Sequence, residues 1–217
     1  KDPDIQFPMI VFSEEQIATR SRWLRPVIAI QAFLLLFLLP FQALNMRFIS
    51  IGHLFSPKAE RRWLQAGLFA AHIAAYGVLL YFIGLPWAVP FAIIHQLSFG
   101  LYNSSVFASN HKGMPLTADG KRMDFFREQV ITSRNVSGHP LTDFWYGGLN
   151  YQIEHHLFPT MPRCNLRKAQ PIVEAFCAEQ GVSYHSTGLF TSYREILSHL
   201  HRESASLRRR HSPANAG

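Results

Sequence analysis

The sequence predicts an all-α integral membrane protein: a re-entrant or interfacial helix, then a transmembrane helical hairpin, then a cytoplasmic helical cap that carries a metal site. Three observations predict it. Apolar residues gather into three blocks, 27–44, 65–85 and 86–108, with the charged residues between and after them. The basic residues flank these blocks and form no stripe of their own. Near the end of the chain, Asn150 to Arg163 reads NYQIEHHLFPTMPR and spaces Gln152, His155 and His156 at i, i+3 and i+4, one face of a short helix.

At 217 residues the chain is large enough for one sizeable domain. Its mean hydropathy of +0.02 averages two kinds of sequence, apolar blocks and polar connections. A net charge of +7 is compatible with nucleic acid, but no basic run is interleaved with aromatics in a recognisable module, so nucleic acid is not a partner. Cations beside apolar segments instead suit the surface of an anionic membrane. Cys164 and Cys177 are the only cysteines and are not spaced as a C-x-x-C pair, which argues against a disulfide framework and fits a reducing compartment.

Residues 1–26 form a polar cytoplasmic approach, gaining Arg20, Arg22 and Arg25 just before the first apolar block. Block 27–44 is at the short end of what spans a bilayer and is interrupted by Gln31, Pro40 and Gln42. Arg47, Lys58, Arg61 and Arg62 follow it, and Lys112, Lys121 and Arg122 follow the third block. If all these cations stay in the cytoplasm, the first block does not cross, and 65–85 with 86–108 make a hairpin around Gly84-Leu85-Pro86. His72 and His95 lie within that hairpin, where an ionisable side chain is a functional candidate. Two imidazoles on neighbouring helices are one arrangement for haem; a neutral His95 bonded beside Tyr76 or Gln96 is the plainer one.

The cap is 109–205 and the tail 206–217. Met123 to Val136 reads as a helix, Ser137 to Pro140 as a turn with His139 exposed, Asn165 as the N-cap of a helix to about Gln180 ended by Gly181, and Ser192 with Glu195 as a capping box for a last helix. The stretch NYQIEHHLFPTMPR is framed by Gly147 and Gly148 before it and Pro159 and Pro162 within it, leaving room for about two helical turns. Neutral imidazole suits zinc, iron or copper. A zinc-protease reading fails on spacing, since H-E-x-x-H places Glu between the histidines and E-H-H does not. Asp143, Asn150 and Glu154 are candidates to hydrogen-bond the free ring nitrogens of ligating histidines.

The stretch GGLNYQIEHHLFPTMPR closely resembles the third histidine box of the membrane fatty-acid desaturases, in the front-end subclass where Gln leads the box. The resemblance continues through FASNHKGMP and QVITSRNV and is closest to actinobacterial acyl-CoA or acyl-lipid desaturases. It implies iron ligation by His155, His156 and His111, with Gln152 a further donor and Asn110 reaching the metal through water. It also implies a di-iron centre facing the cytoplasm of a bacterial plasma membrane, a fatty-acyl-CoA or acyl-lipid substrate, dioxygen, and a separate electron donor of the ferredoxin or cytochrome b5 type. The opening KDPDIQ resembles sequence just after the second box, so the resemblance implies a carboxy-terminal portion without the first two boxes. Two octahedral irons call for roughly eight or more protein donors; with three or four in place here, the chain alone is expected to be inactive. Alternatives from the sequence are a di-iron membrane hydroxylase and a non-catalytic module binding haem through His72 and His95.

Overall fold

The computed structural model describes residues 10–57, 59–115 and 123–210. The KDPDIQ opening, Lys58, Lys121, Arg122 and the tail from 211 lie outside them. The described chain is mostly helical, in the order α1 (Glu14–Thr19), α2 (Arg25–Ala29), α3 (Gln31–Leu38), α4 (Gln42–Leu54), α5 (Arg62–Ile83), α6 (Leu85–His111), α7 (Phe125–Ile131), β1 (Asn135–Val136), α8 (Pro140–Tyr146), α9 (Gln152–Leu157), α10 (Arg163–Glu179), β2 (Ser186–Thr187), α11 (Leu189–Glu203) and α12 (Ala205–Arg210). The all-α expectation needs one amendment. β1 and β2 pair in parallel, Asn135 with Ser186 and Val136 with Thr187.

The described chain divides into two compact units, residues 37–104 and residues 10–36 with 105–210. In the first, α5 presents apolar side chains on every side: Trp63, Leu68, Tyr81 and Phe82 are all exposed. A helix apolar all round is suited to a nonpolar solvent. Gly84, with φ of +83°, separates α5 from α6, a backbone state that glycine adopts without steric cost. The two helices touch where the Tyr76 hydroxyl lies 3.1 Å from His95 Nδ1. Gly100 brings α6 against the chain at Pro40: a Cβ built there would lie 2.0 Å from the Pro40 carbonyl oxygen. Ser104 Oγ, one turn on, donates to Gly100 O at 2.7 Å and lies 3.0 Å from Leu39 O.

The first apolar block is longer than expected. Helix continues through a 3-10 turn at Leu39–Phe41 to Leu54, and Gln31–Leu54, at 24 residues, is one of two described helices long and apolar enough to cross a membrane. The other is Arg62–Ile83. Leu85–His111 has the length, but its apolar run is interrupted by Pro90, His95, Gln96, Asn103, Ser104 and Ser105. The boundary at Leu44 rested on where apolar residues thin out; the helix runs on because Asn45, Arg47 and Ser50 are tolerated in it, Arg47 bonding to Ala43 O and to Gln96 Oε1.

The second unit has three small cores. Val11, Ile17, Leu24, Ile28 and Leu207 form one; Val130, Ile153, Val173, Cys177 and Val182 another; Val106, Val136 and Tyr146 the third. Buried Gln31 links segments far apart in sequence, accepting from Val11 N at 2.8 Å and donating to Leu200 O at 3.0 Å. Several boundaries differ from the sequence reading. The helix at Phe125 stops at Ile131, and Asn135 and Val136 are spent on the strand pair. Helix α10 begins at Arg163, because Pro162 (φ −56°) already sets the entry and Asn165 N bonds back to Pro162 O. Helix α11 begins after Gly188, so Ser192 lies inside it and turns its hydroxyl onto Leu189 O. Residues 206–210, read as tail, belong to helix α12 (Ala205–Arg210), and Leu207 is buried.

Candidate metal centre

Helix α9 is six residues long and is set by its flanks. Gly147 (φ +56°) terminates α8 and Gly148 (φ +84°) turns the chain toward Asn150. A helix this short has little stability of its own, so its place depends on side chains from elsewhere.

Those side chains bring together segments about forty residues apart in sequence. The rings of His111, at the end of α6, and His156, on α9, stand 4.9 Å apart between centroids, tilted by 36°. Gln152, one helical turn before His156, puts its amide Nε2 3.0 Å from His111 Nε2. Asn110 donates to Gln152 Oε1 at 3.1 Å and to Leu149 O at 2.8 Å, which sets the amide orientation of Gln152 with its nitrogen toward His111. His111, His156, Gln152 and Asn110 thus form one cluster. His155 stands apart from it, edge-on to His156 at 6.1 Å. Burial, and then the charge of Arg163, lower the pKa of His155, which favours the neutral imidazole a metal requires.

The segment from Gln129 to Asn135 supplies what the sequence reading missed. Gln129 Oε1 lies 3.0 Å from His156 Nδ1 and Ser133 Oγ 3.3 Å from it. An amide oxygen accepts from a ring N–H, so this contact keeps the proton on Nδ1 and leaves Nε2 with its lone pair. Arg134, 1% exposed, donates from Nε to Ser109 O and from Nη2 to Lys112 O, both at 2.8 Å, and from Nη1 to Glu195 at 2.5 Å. Asn135, also 1% exposed, accepts from Ile153 N at 2.9 Å and donates to Glu154 Oε2 at 2.7 Å.

Asp143, Asn150 and Glu154 do not take the place expected for them. Glu154, fully buried, accepts from Asn135 and from the Tyr184 hydroxyl at 2.7 Å. Burial raises its pKa, and these two hydrogen bonds oppose the rise. Asp143 accepts from Asn150 at 2.8 Å and Tyr151 at 3.1 Å, and Asn150 also reaches Val136 O at 3.3 Å. The three support the backbone around α9. The two carboxylates accept from side-chain amides and hydroxyls, and Gln129 and Ser133 contact the His156 ring.

His72 and His95 are not brought together: among the described residues no ring contact or hydrogen bond joins them. His95 has the plainer environment, bonded to Tyr76 and Gln96 and stacked on Phe91 at 5.8 Å. His139 is exposed and accepts from Leu141 N at 3.3 Å as the N-cap of α8. Cys164 and Cys177 are free thiols.

The cluster suits a metal in part. The Gln152 nitrogen 3.0 Å from His111 Nε2 is a hydrogen-bond donor to the ring; the amide would serve a metal only through its oxygen, which Asn110 holds here. Two imidazoles and an amide suit a first-row transition metal. Among the described residues, no three His, Cys, Asp or Glu side chains assemble into a complete metal-binding group.

Comparison with known proteins places these residues in a family. The family model described as fatty acid desaturase matches residues 1–188. The chain is similar to the Delta(6)-fatty-acid desaturase fat-3 of Caenorhabditis elegans, 36% identical over 140 residues, 64% of this chain and 32% of that protein. It is also similar to the acyl-lipid (9-3)-desaturase of Physcomitrium patens, 39% identical over 107 residues covering 49% of this chain and 20% of the relative. Fatty acid desaturase 3 of Bos taurus is 29% identical over 203 residues, 92% of this chain and 45% of its own. The chain therefore spans less than half the length of each of these relatives. No solved structure matches it. With residues 1–188 matched, the chain belongs to the fatty acid desaturase family.

Proposed function

We propose that these residues form part of a membrane fatty-acyl desaturase in which His111, His155 and His156 help hold iron. The observation that carries the reading is the meeting of His111 and His156 at 4.9 Å, with Gln152 bonded to His111 between them. A core packing of helices would fill such positions with aliphatic side chains.

Bound iron supplies the dioxygen-dependent redox chemistry by which hydrogens leave unactivated methylene groups, chemistry outside the reach of side chains alone. The protein's own contribution is to hold neutral imidazoles in place. Gln129 keeps the His156 proton on Nδ1, and Asn110 fixes the Gln152 amide beside His111. The remaining donors for a two-iron centre come from outside the described residues. The substrate is a fatty-acyl chain on CoA or lipid, the oxidant dioxygen, and the electrons come from a separate ferredoxin or cytochrome b5 type donor. Gln31–Leu54, Arg62–Ile83 and Leu85–His111 supply the membrane segments. In this reading the last two form the transmembrane hairpin and 109–205 the cap, with the iron site at the cytoplasmic face of a bacterial plasma membrane.

The test is iron content and acyl product analysis on the chain co-expressed with a desaturase amino-terminal half carrying further histidine donors, against the chain alone. Iron and unsaturated product are expected only in the co-expressed sample, and both are lost in His111→Ala and His156→Ala. Full iron and product in His156→Ala would sink the reading.

A further inference from the structure

We propose that Arg134 and Asn135 are a paired positioning element that sets the separation of His111 from His156. The inference deepens the desaturase reading above, and it rests on which segments the two side chains hold.

The two histidines come from segments with no local reason to be adjacent. His111 is the last residue of α6, where the final carbonyls of a helix lack intrahelical partners. Arg134 binds that end through its side chain and its backbone together. The guanidinium donates to the carbonyls of Ser109 and Lys112, on either side of Asn110–His111, and the backbone N donates to Asn110 O at 3.0 Å. The remaining guanidinium nitrogen is anchored on Glu195. A planar guanidinium fixes all three side-chain directions together; the point charge of a lysine cannot.

Asn135, the next residue, faces the other segment. Its Oδ1 accepts from Ile153 N, near the start of α9, and its Nδ2 donates to Glu154, two residues before His156. Its backbone N bonds to His185 O at 2.9 Å, and Val136 N to Asn150 O at 2.9 Å, so the dipeptide is itself fixed by the strand pair. One peptide unit therefore connects the carbonyl end of the His111 helix with the amino end of the His156 helix. Arg134 directly precedes β1 and Asn135 opens it, and the two neighbouring side chains serve two different helices. With both side chains 1% exposed, water offers neither a substitute partner.

Arg134→Lys keeps the charge and loses the fork. Asn135→Asp keeps an acceptor for Ile153 N and sets a carboxylate against Glu154. The experiment labels histidine in the full chain in detergent micelles and reads the imidazole shifts and the cross-relaxation between the His111 and His156 rings. Ile28→Ala serves as a control, lowering stability through a different core of the same unit. Expected is loss of the inter-ring cross-peak in Arg134→Lys and Asn135→Asp while the circular dichroism stays helical, with the cross-peak intact in Ile28→Ala. A cross-peak kept in both variants overturns the proposal, and so does a loss that merely tracks unfolding to the same extent as in Ile28→Ala. A second arm measures iron in the co-expressed desaturase, where each variant is expected to bind about 10-fold to 100-fold more weakly. If the unsubstituted protein binds no iron, the desaturase reading fails, and the ring contact still decides the positioning role.

Discussion

Arg134 Nη1 lies 2.5 Å from Glu195 Oε2, joining a guanidinium that is 1% exposed to a carboxylate that is 36% exposed. His185 Nε2 shares the same oxygen at 2.9 Å. Removing one partner of a buried pair leaves the other uncompensated, and here two backbone carbonyls lose their donor as well. Arg134→Met is expected to lower stability by about 3 kcal/mol, the lower end for a buried pair because water can still reach Glu195. Denaturant titration followed by circular dichroism measures it; a loss below about 1 kcal/mol would contradict the assignment.

The same pair predicts an acid limb. Burial acts to raise the pKa of Glu195, but hydrogen bonds from His185 and Arg134, together with their charges, outweigh it and leave the pKa lowered. A carboxylate whose folded pKa is depressed binds protons more weakly than in the unfolded chain. Its contribution is therefore fully present above the ordinary value of 4.5 and is lost as pH falls through the lowered folded value. Glu195→Gln is expected to be less stable than the parent at neutral pH and to close that gap as pH drops below about 4. A gap that stays constant across that range would show that the carboxylate is not the group responsible.

The frame of α9 was legible because it is local. Gly147 and Gly148 before it, and Pro159 after it, bound a segment whose Gln and His spacing belongs to one short helix, and the structure places Gln152–Leu157 there. That His111 meets this helix came from likeness to a family, since nothing near His111 in sequence indicates a partner about 45 residues on. The work of Gln129, Arg134 and Asn135 was not legible. Arg134 and Glu195 are 61 residues apart, and Asn135 and Tyr184 are 49 apart; such pairs leave no periodicity to read. Predicted caps failed for a related reason. Ser192 and Glu195 have capping-box spacing, but Glu195 bonds to Arg134 and His185 and the helix begins earlier, at Leu189.

Within residues 37–104, Gly100 is a position where any side chain meets backbone. A Cβ there would stand 2.0 Å from Pro40 O and 2.8 Å from Pro40 C, and a carbonyl fixed within a helical turn cannot swing aside. Gly100→Ala is expected to cost about 1–3 kcal/mol by overpacking. Gly77, on α5, has open space where its Cβ would stand, with no atom within 4 Å, so Gly77→Ala is the matched comparison and is expected to be neutral or slightly stabilising. Thermal melting in detergent compares the two. Equal melting temperatures would mean that α6 does not pack against Pro40 in this way.

Gln152 separates the ways the histidine cluster is able to operate. Its Oε1 accepts from Asn110 and its Nε2 stands 3.0 Å from His111 Nε2, a hydrogen bond in the metal-free chain; as a metal donor the amide would have to offer its oxygen and give up the bond from Asn110. Gln152→Leu removes both uses while keeping the side chain's bulk. Gln152→His restores a nitrogen at similar reach and gives up the bond from Asn110. If the amide is a donor, Gln152→His retains iron in the co-expressed desaturase and Gln152→Leu loses about 10-fold to 100-fold in affinity. If the amide only orients His111, both substitutions weaken binding alike, because each disturbs the Asn110–Gln152–His111 chain. Iron content, measured with the imidazole shifts of His111 in the metal-free chain, tells these apart: the shifts move in both variants in either case, and only the iron distinguishes a ligand from a support.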